Sequence, residues 1–213
     1  MTIAKKLVRV AENTPKVYEA GKNEMWEGIQ VGGTRNNYDS AFRNWGAEHL
    51  EPKYPLITST LSSMFLECRN LIELPPIELT ASTSTYYNAF NTCRALKEIN
   101  MDIKPSTAST AMNTAFRSCV SLETINKIVS TDGVTFNNTF QGCSALKNVT
   151  FEGVVSNNIS FADSPLLTKE SILGLFGCLA TKSGCTVTLG TTNLAKLTDA
   201  EKAIATEKGW SLA

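Results

Sequence analysis

Six cysteines are the side chains in this sequence best suited to metal or redox chemistry. A structural zinc site needs closely spaced ligand pairs such as Cys-x-x-Cys, and the sequence contains none. Four of the cysteines instead recur at nearly constant intervals, at Cys68, Cys93, Cys119 and Cys143. This series predicts a buried column of free thiols in a reducing compartment, where cysteine acts as a small apolar side chain. Pairing of the remaining two, Cys178 and Cys185, would require an oxidant.

The other ionisable groups do not form a recognisable catalytic set. His49 is the only histidine, and no Gly-x-Ser-x-Gly motif supplies a nucleophile for it, so we expect it at the surface. Asp102, Asp132 and Asp163 are predicted in loops between repeated units, where an acidic ladder could bind calcium. Calcium loops stack several acidic ligands per turn, whereas there is about one per unit here. We therefore predict turn-forming roles for these residues, and a protein without catalytic residues, metal or cofactor.

Aromatic and hydroxyl side chains offer a binding surface. Tyr86 belongs to a series of apolar residues that recurs in the sequence and is predicted to be buried. The side chain of its neighbour Tyr87 is expected to point away from that series. The segments 81–85 and 106–110 are rich in serine and threonine. Such side chains could hydrogen-bond polar partners such as glycans, although solvated loops have the same composition. The candidate binding residues are Tyr87, Thr107 and Thr110.

Composition argues against two further functional classes. The chain has 213 residues, 42% hydrophobic and 19% charged, which is typical of a folded globular protein. Twenty basic residues balance twenty acidic ones, so a nucleic-acid binder, which needs a basic face, is not predicted. No apolar run reaches the ~18 residues of a membrane-spanning helix, and the first residues lack the apolar block of an export signal. We expect no membrane insertion, and either a cytoplasmic location or release by another route.

The regularly spaced cysteines belong to an internal repeat. The pattern Phe-x-x-Cys-x-x-Leu-x-x-(Leu/Ile/Val) occurs four times, with phenylalanine intervals of 25, 26 and 24 residues. The predicted repeat core is Phe65, Cys68, Leu71, Phe90, Cys93, Leu96, Phe116, Cys119, Leu122, Phe140, Cys143 and Leu146. Weaker copies flank it: Phe42 has Trp45 in the cysteine position, and Phe161 has Ser164 and Leu167 in the next two positions. About six units over residues 38–167 are expected, because stacked arrays need atypical end units.

Each unit predicts a short helical turn followed by a strand. Leu61, Tyr86, Met112 and Phe136 each precede a phenylalanine by four positions, which is the spacing of one helical face. The Leu-x-x-Ile segment after the cysteine then predicts a strand. Stacked units of this kind form an α/β solenoid with a parallel strand ladder, in which no unit buries its apolar face alone.

This pattern resembles the BspA-like branch of the leucine-rich repeat family. That branch carries the same (Ala/Met)-Phe-x-x-Cys-x-x-Leu-x-x-Ile register, matched here by Met64-Phe65, Ala89-Phe90 and Ala115-Phe116. The resemblance implies a leucine-rich repeat fold and a surface or adhesive role without catalytic residues.

The segment before the repeats is predicted to be helical. Thr14 and Pro15 suit the N-cap and first position of a helix. Helical spacing then continues through Tyr18, Met25, Trp26 and Ile29, and residues 3–11 form a shorter amphipathic stretch. We expect a helical N-terminal segment over 1–37 that either caps the repeats or docks on another protein. Lys53-Tyr54-Pro55 predicts an extended link into the repeats.

The segment after the repeats, 168–213, predicts a small α/β cap. Thr168 would begin a helix that runs to about Ala180, and Cys185–Leu189 alternates like a strand. Thr198-Asp-Ala-Glu201 has the pattern of a capping box, opening a helix that Gly209 ends.

Both ends carry a second resemblance. The stretches 11–21 and 188–210 are similar to the termini of leucine-rich repeat proteins encoded in phages and prophages of Gram-positive gut bacteria. This implies a non-enzymatic virion or virion-associated protein that presents its repeat surface for adhesion to a host protein or glycan, with other virion proteins as further partners. The alternative is a bacterial leucine-rich repeat module for protein–protein interaction. The sequence does not determine the oligomeric state.

Overall fold

The structure, a computed structural model, describes residues 40–46, 48–50 and 56–213, together with the backbone of two strands nearer the N-terminus. Strands β1 (Lys5–Arg9) and β2 (Pro15–Glu19) pair antiparallel. No helix in the described part of the chain is long and apolar enough to cross a membrane.

The predicted N-terminal helices are wrong where the chain is described. Residues 5–9 and 15–19 are strands, so the helical prediction fails for 3–11 and for the segment that starts at Thr14. Pairing satisfies the backbone groups that a helix would satisfy internally, and β-branched residues such as Val8 and Val17 favour strands. The remainder of the predicted helix, including Met25, Trp26 and Ile29, lies outside the described residues, as does the link at 53–55.

Parallel strands follow the turn in each repeat. They are β3 (Leu56–Thr58), β4 (Ile77–Leu79), β5 (Glu98–Ile103), β6 (Thr124–Ser130) and β7 (Asn148–Gly153). Strand β3 pairs with β4, and β5, β6 and β7 form a three-stranded sheet. All of these pairs are parallel, which confirms the predicted strand pairing and the α/β class, but they belong to two separate sheets.

The turns that carry the phenylalanines are joined by backbone hydrogen bonds between neighbouring repeats. In the Phe65 repeat, the N–H groups of Ser63, Phe65 and Glu67 donate to carbonyls of the following repeat at 2.7–2.9 Å. The N–H groups between them stay within the turn, as when Met64 donates to the Leu61 carbonyl at 3.0 Å. Alternate backbone groups therefore bind the next repeat and their own turn, and neighbouring repeats are held in register.

The predicted helical turns are wrong, because the alternating hydrogen bonds require a backbone conformation that is not helical. The residues two before and two after the phenylalanine have φ between 51° and 74°, in the left-handed region that a helix excludes. They are Ser40, Asn44, Ser63, Glu67, Asn88, Thr92, Thr114, Ser118, Asn138 and Gly142. Nine of the ten are not glycine, so each carries a steric cost of about 1–2 kcal/mol that the hydrogen bonds between repeats must offset.

The core is a stack of phenylalanine rings running through the repeats. Phe42, Phe65, Phe90, Phe116, Phe140 and Phe161 follow one another with ring centroids 4.4–6.0 Å apart and ring planes within 22° of parallel. Each such pair is worth about 0.5–1.5 kcal/mol beyond the burial of its area. The twelve residues of the predicted repeat core are at most 1% exposed.

The C-terminal elements include the predicted helix, strand and helix, together with further elements. Helix α1 (Lys169–Cys178) begins at the N-cap Thr168 and packs on β7. Strand β8 (Ile159–Ser160) pairs with β9 (Thr186–Thr188), and β9 with β10 (Ser211–Leu212). Helix α2 (Gly190–Leu194), β8 and β10 were not predicted.

The last helix confirms the capping prediction. Helix α3 (Asp199–Thr206) opens with a complete capping box between Thr198 and Glu201. Gly209 follows the helix at φ 91°, close to the Lys182 carbonyl, where a side chain would not fit.

The thiol column is bonded from one repeat to the next. Each cysteine Sγ donates to the carbonyl of the phenylalanine in the preceding repeat at 2.9–3.1 Å; the four donors are Cys68, Cys93, Cys119 and Cys143. Ser164 takes the equivalent position after Phe161 and is also fully buried, but its hydroxyl has no partner among the described residues. Because the C–O bond is shorter than the C–S bond, a serine hydroxyl in this position reaches less far towards the carbonyl than a cysteine thiol does.

We predict that Cys119→Ser lowers the free energy of unfolding by about 1–3 kcal/mol, because it leaves a buried hydroxyl unbonded. The reverse change in the same position, Ser164→Cys, should raise it by about 0.5–1.5 kcal/mol by adding a bond to the Phe140 carbonyl. Urea denaturation measures both. The exposed neighbour supplies the control, since Val120→Ser should change stability by no more than about 0.5 kcal/mol. Equal stability of Cys119→Ser and the wild type would contradict this account.

Candidate functional site

The buried thiols are unsuited to nucleophilic chemistry. Burial raises the pKa of the Cys143 thiol to about 12 and raises the pKa values of Cys93 and Cys119 well above normal. The thiolate is the reactive form, so these groups stay neutral and inert. All six cysteines are free, and the described residues contain no group of three or more histidine, cysteine or acidic side chains placed to hold a metal.

The predicted binding residues are all exposed, and their role in binding stays a prediction. Tyr87 is 38% exposed on the turn side, and Thr107 and Thr110 are exposed in the loop before the next turn. No hydrogen bond or ring contact joins Tyr87 to either threonine in the part of the chain that the structure describes. Tyr86 is fully buried, and its hydroxyl accepts a hydrogen bond from the Lys104 N–H at 3.1 Å.

The remaining candidates for chemistry make local contacts. His49 Nδ1 lies 3.0 Å from Glu73 Oε1 in the following repeat. Asp163 accepts a hydrogen bond from the Gly142 N–H at 2.9 Å, and Asp132 lies in an exposed turn. Asp102 was predicted in a loop but lies in β5, because that strand extends further than the Leu-x-x-Ile segment.

A break in the strand ladder creates the most distinctive surface feature. Strands β4 and β5 lie in consecutive repeats, yet no backbone hydrogen bond joins them within residues 56–213. Pro75 and Pro76 precede β4 directly, and proline has no N–H to donate to a ladder. The offset between equivalent residues also falls from 25 at Cys68 and Cys93 to 21 at Ser84 and Pro105. The arm containing β4 is thus four residues longer, and this excess keeps the two strands apart.

Both ends of the break are closed by ordinary contacts between the repeats. The Lys97 N–H donates to the Ile72 carbonyl at 3.3 Å on one side. The Ser84 N–H donates to the Lys104 carbonyl at 2.8 Å on the other. The opening is therefore a slit within an otherwise continuous stack.

We name this opening the β4/β5 cleft. It has two adjoining lobes of about 460 and 480 Å³ that share Ile77, Glu78 and Met101. The remaining lining includes Leu79, Asn100, Asp102 and Lys104.

The floor of the cleft is apolar because it reaches the core. Ile77 and Leu79 pair in register with Leu56 and Thr58, which are fully buried. The two β4 residues therefore face inward but stay half-exposed, since no strand formed by described residues covers them from the β5 side. Met101 packs beside the same core and is also half-exposed.

An irregularity in β5 brings Met101 into the cleft. The pairing with β6 shifts between Ile99 and Asp102, where β5 has one more residue than its partner. A bulge of this kind changes the direction of a side chain and is common beside functional sites. Met101 has a flexible, polarizable side chain, which suits it to contacts with varied apolar groups.

The mouth of the cleft is mainly acidic. Glu78 is exposed at the centre of β4 and has no ion-pair partner among the described residues. Asp102 accepts a hydrogen bond from Asn126 at 3.3 Å and helps to raise the pKa of Lys127, whose main partner is Glu152. Lys104 is the one basic residue among the described residues of the lining, at the closed end near Ser84.

The sequence held one signal of this cleft. The Pro75-Pro76 pair falls where the other repeats continue into a strand, and two consecutive prolines are incompatible with a paired central strand. The bulge that positions Met101 has no sequence signature.

Comparisons with protein-family models, curated proteins and solved structures found no match to this chain.

We predict that stability falls as the pH rises above about 9. The pKa of Cys143 is raised from 9.0 to about 12, and that of Tyr86 from 10.0 to about 12. Both groups stay neutral in the folded chain and ionise more readily when it unfolds. Their contribution is complete below the unfolded pKa and is lost as the pH rises through 9 towards 12. Urea midpoints measured from pH 7 upwards should decline, and Cys143→Ala should flatten the decline. A midpoint unchanged at pH 10.5 would contradict the prediction.

We predict that two residues of β5, two positions apart, differ sharply in their contribution to stability. Ile99→Ala should lower the free energy of unfolding by about 2–5 kcal/mol, because Ile99 is fully buried. Met101→Ala should cost about 1 kcal/mol or less, because its side chain faces an open cleft. Thermal and urea unfolding measure both, and equal losses would mean that the cleft is closed in solution.

Proposed function

We propose that the repeats form a solenoid of the leucine-rich repeat type, similar to the BspA-like branch. The continuous phenylalanine stack, the thiol column and the parallel pairing of successive strands support this assignment. In such an array the interior is filled by packed side chains, so that function is carried by the outer surface.

We propose that the protein is a non-enzymatic binding protein that recognises a partner polypeptide. The observation that carries this proposal is the β4/β5 cleft, where an acidic mouth opens onto an aliphatic floor. Concave sites with apolar walls and a few polar groups are typical binding sites. The polar groups here include the backbone N–H and C=O groups of β4 and β5, and extended peptides commonly bind to such strand edges.

A polypeptide partner fits the cleft better than the glycan considered from the sequence. The described lining combines aliphatic side chains with carboxylates, and none of its residues offers an aromatic ring on which a sugar could stack. The predicted hydroxyl-rich surface of Tyr87, Thr107 and Thr110 lies outside the lining of this cleft and stays a separate prediction. The virion location implied by the sequence resemblance stays a separate prediction, which the cleft neither requires nor opposes.

We predict that a library of short random peptides, displayed and selected on the immobilised full chain, yields binders that depend on the cleft. Met101→Arg should abolish their binding, because it places a long charged side chain in both lobes. Val120→Arg adds the same charge at a residue that is 43% exposed at a turn and should leave binding unchanged. Thermal melts verify that both variants fold. Failure to select any binder, or binders sensitive only to Val120→Arg, would contradict the proposal.

A further inference from the structure

The facing edges of β4 and β5 carry unused hydrogen-bonding groups. In a parallel sheet, alternate backbone groups of a strand point to its two sides. Strand β4 binds β3 on one side and β5 binds β6 on one side, and in the part of the chain that the structure describes neither has a strand on the side that faces the cleft. Unpaired edges of this kind bind extended segments.

The closed ends limit the size of the segment. Contacts at Lys97 and at Lys104 bound the free edge of β5, so that the available strand is the six-residue span Glu98–Ile103. This corresponds to about 20 Å of extended chain. A partner cannot thread through the slit and must enter from its open face, which suits a short linear segment or an exposed loop.

The side-chain chemistry of the occupant follows from the lining. Ile77, Leu79 and Met101 provide the apolar floor that both lobes reach. Glu78 pairs in register with Ile57, whose side chain points outward from the core, so its carboxylate stands at the mouth. A cationic side chain of the occupant would complement this carboxylate.

We propose that the β4/β5 cleft binds a short extended segment of a partner protein by strand addition, with an aliphatic side chain over Met101 and a lysine or arginine at Glu78. This proposal rests on the proposed polypeptide-binding function and specifies the ligand. Backbone hydrogen bonds to the free strand edge supply affinity, and the two side-chain contacts supply selectivity. This binding involves no covalent reaction.

We test the charge contact by peptide selection. Peptides selected on the wild-type full chain should share a lysine or arginine next to an aliphatic residue. Glu78→Lys should weaken these peptides at least about tenfold, as expected when a close charge pair is replaced by repulsion, and should select acidic peptides instead. Asp132→Lys makes the same change in net charge at an exposed turn and should alter neither result. The same preference on wild type and Glu78→Lys would overturn the assignment of Glu78.

Hydrogen exchange tests strand addition independently. A selected peptide should slow amide exchange in Glu98–Ile103 or Ile77–Leu79 and leave exchange in β7 unchanged. Protection confined to any other part of the chain would overturn the proposed mode. Selected peptides that lose binding in Met101→Arg but lack a basic residue or edge protection would refute this inference alone, whereas a library that yields no binder refutes the proposed function as well.

Discussion

Backbone hydrogen bonds between the turns of neighbouring repeats are the constraint on which the rest of the structure depends. Around Phe42, Phe65, Phe90 and Phe116 every second N–H donates to the next repeat, as Phe65 does to the Ala89 carbonyl at 2.9 Å. This pattern requires left-handed backbone on both sides of the phenylalanine, at residues such as Asn88 and Thr92. Because these bonds fix the spacing of the repeats, equivalent side chains are brought into contact, and the aromatic stack follows from the backbone arrangement.

The side chains in each column are selected by that fixed spacing. Phenylalanine fills the central column because neighbouring rings can stack in parallel at the separation the backbone sets. Cysteine suits the adjoining column because it is small and apolar and because its Sγ reaches the carbonyl of the preceding repeat. Ser164 is informative here, since a hydroxyl in the same position is buried without a partner. The cysteines are therefore structural, and their regular spacing reports packing.

The proposed function depends on the place where the regularity fails. The turn side stays continuous from Phe42 to Phe161, so the four extra residues around β4 are absorbed on the strand side. Pro75 and Pro76 remove the donors that could have closed the gap, and the bulge in β5 turns Met101 towards it. The continuous turn side holds the two strand edges apart, and under the proposed function this preorganisation would reduce the ordering cost of binding a short segment.

Much of this protein could be predicted from residue spacing alone. Local or periodic features leave a pattern in the sequence. They include the repeat, the burial of residues such as Phe116 and Cys119, the parallel pairing of strands and the caps at Thr168 and Thr198.

The wrong predictions occurred where the local spacing of residues was compatible with two structures. The i, i+4 pairs that suggested helical turns are equally served by left-handed turns, and Pro15–Glu19 pairs as a strand because a partner strand is available. Apart from the Pro75-Pro76 pair, the sequence carried no sign of the cleft, for the same reason. Whether Ile77 is covered or open depends on the path of the neighbouring repeat, and burial is a property of the assembled chain. The sequence determined which side chains recur, and only the tertiary structure decided where their stacking leaves a gap.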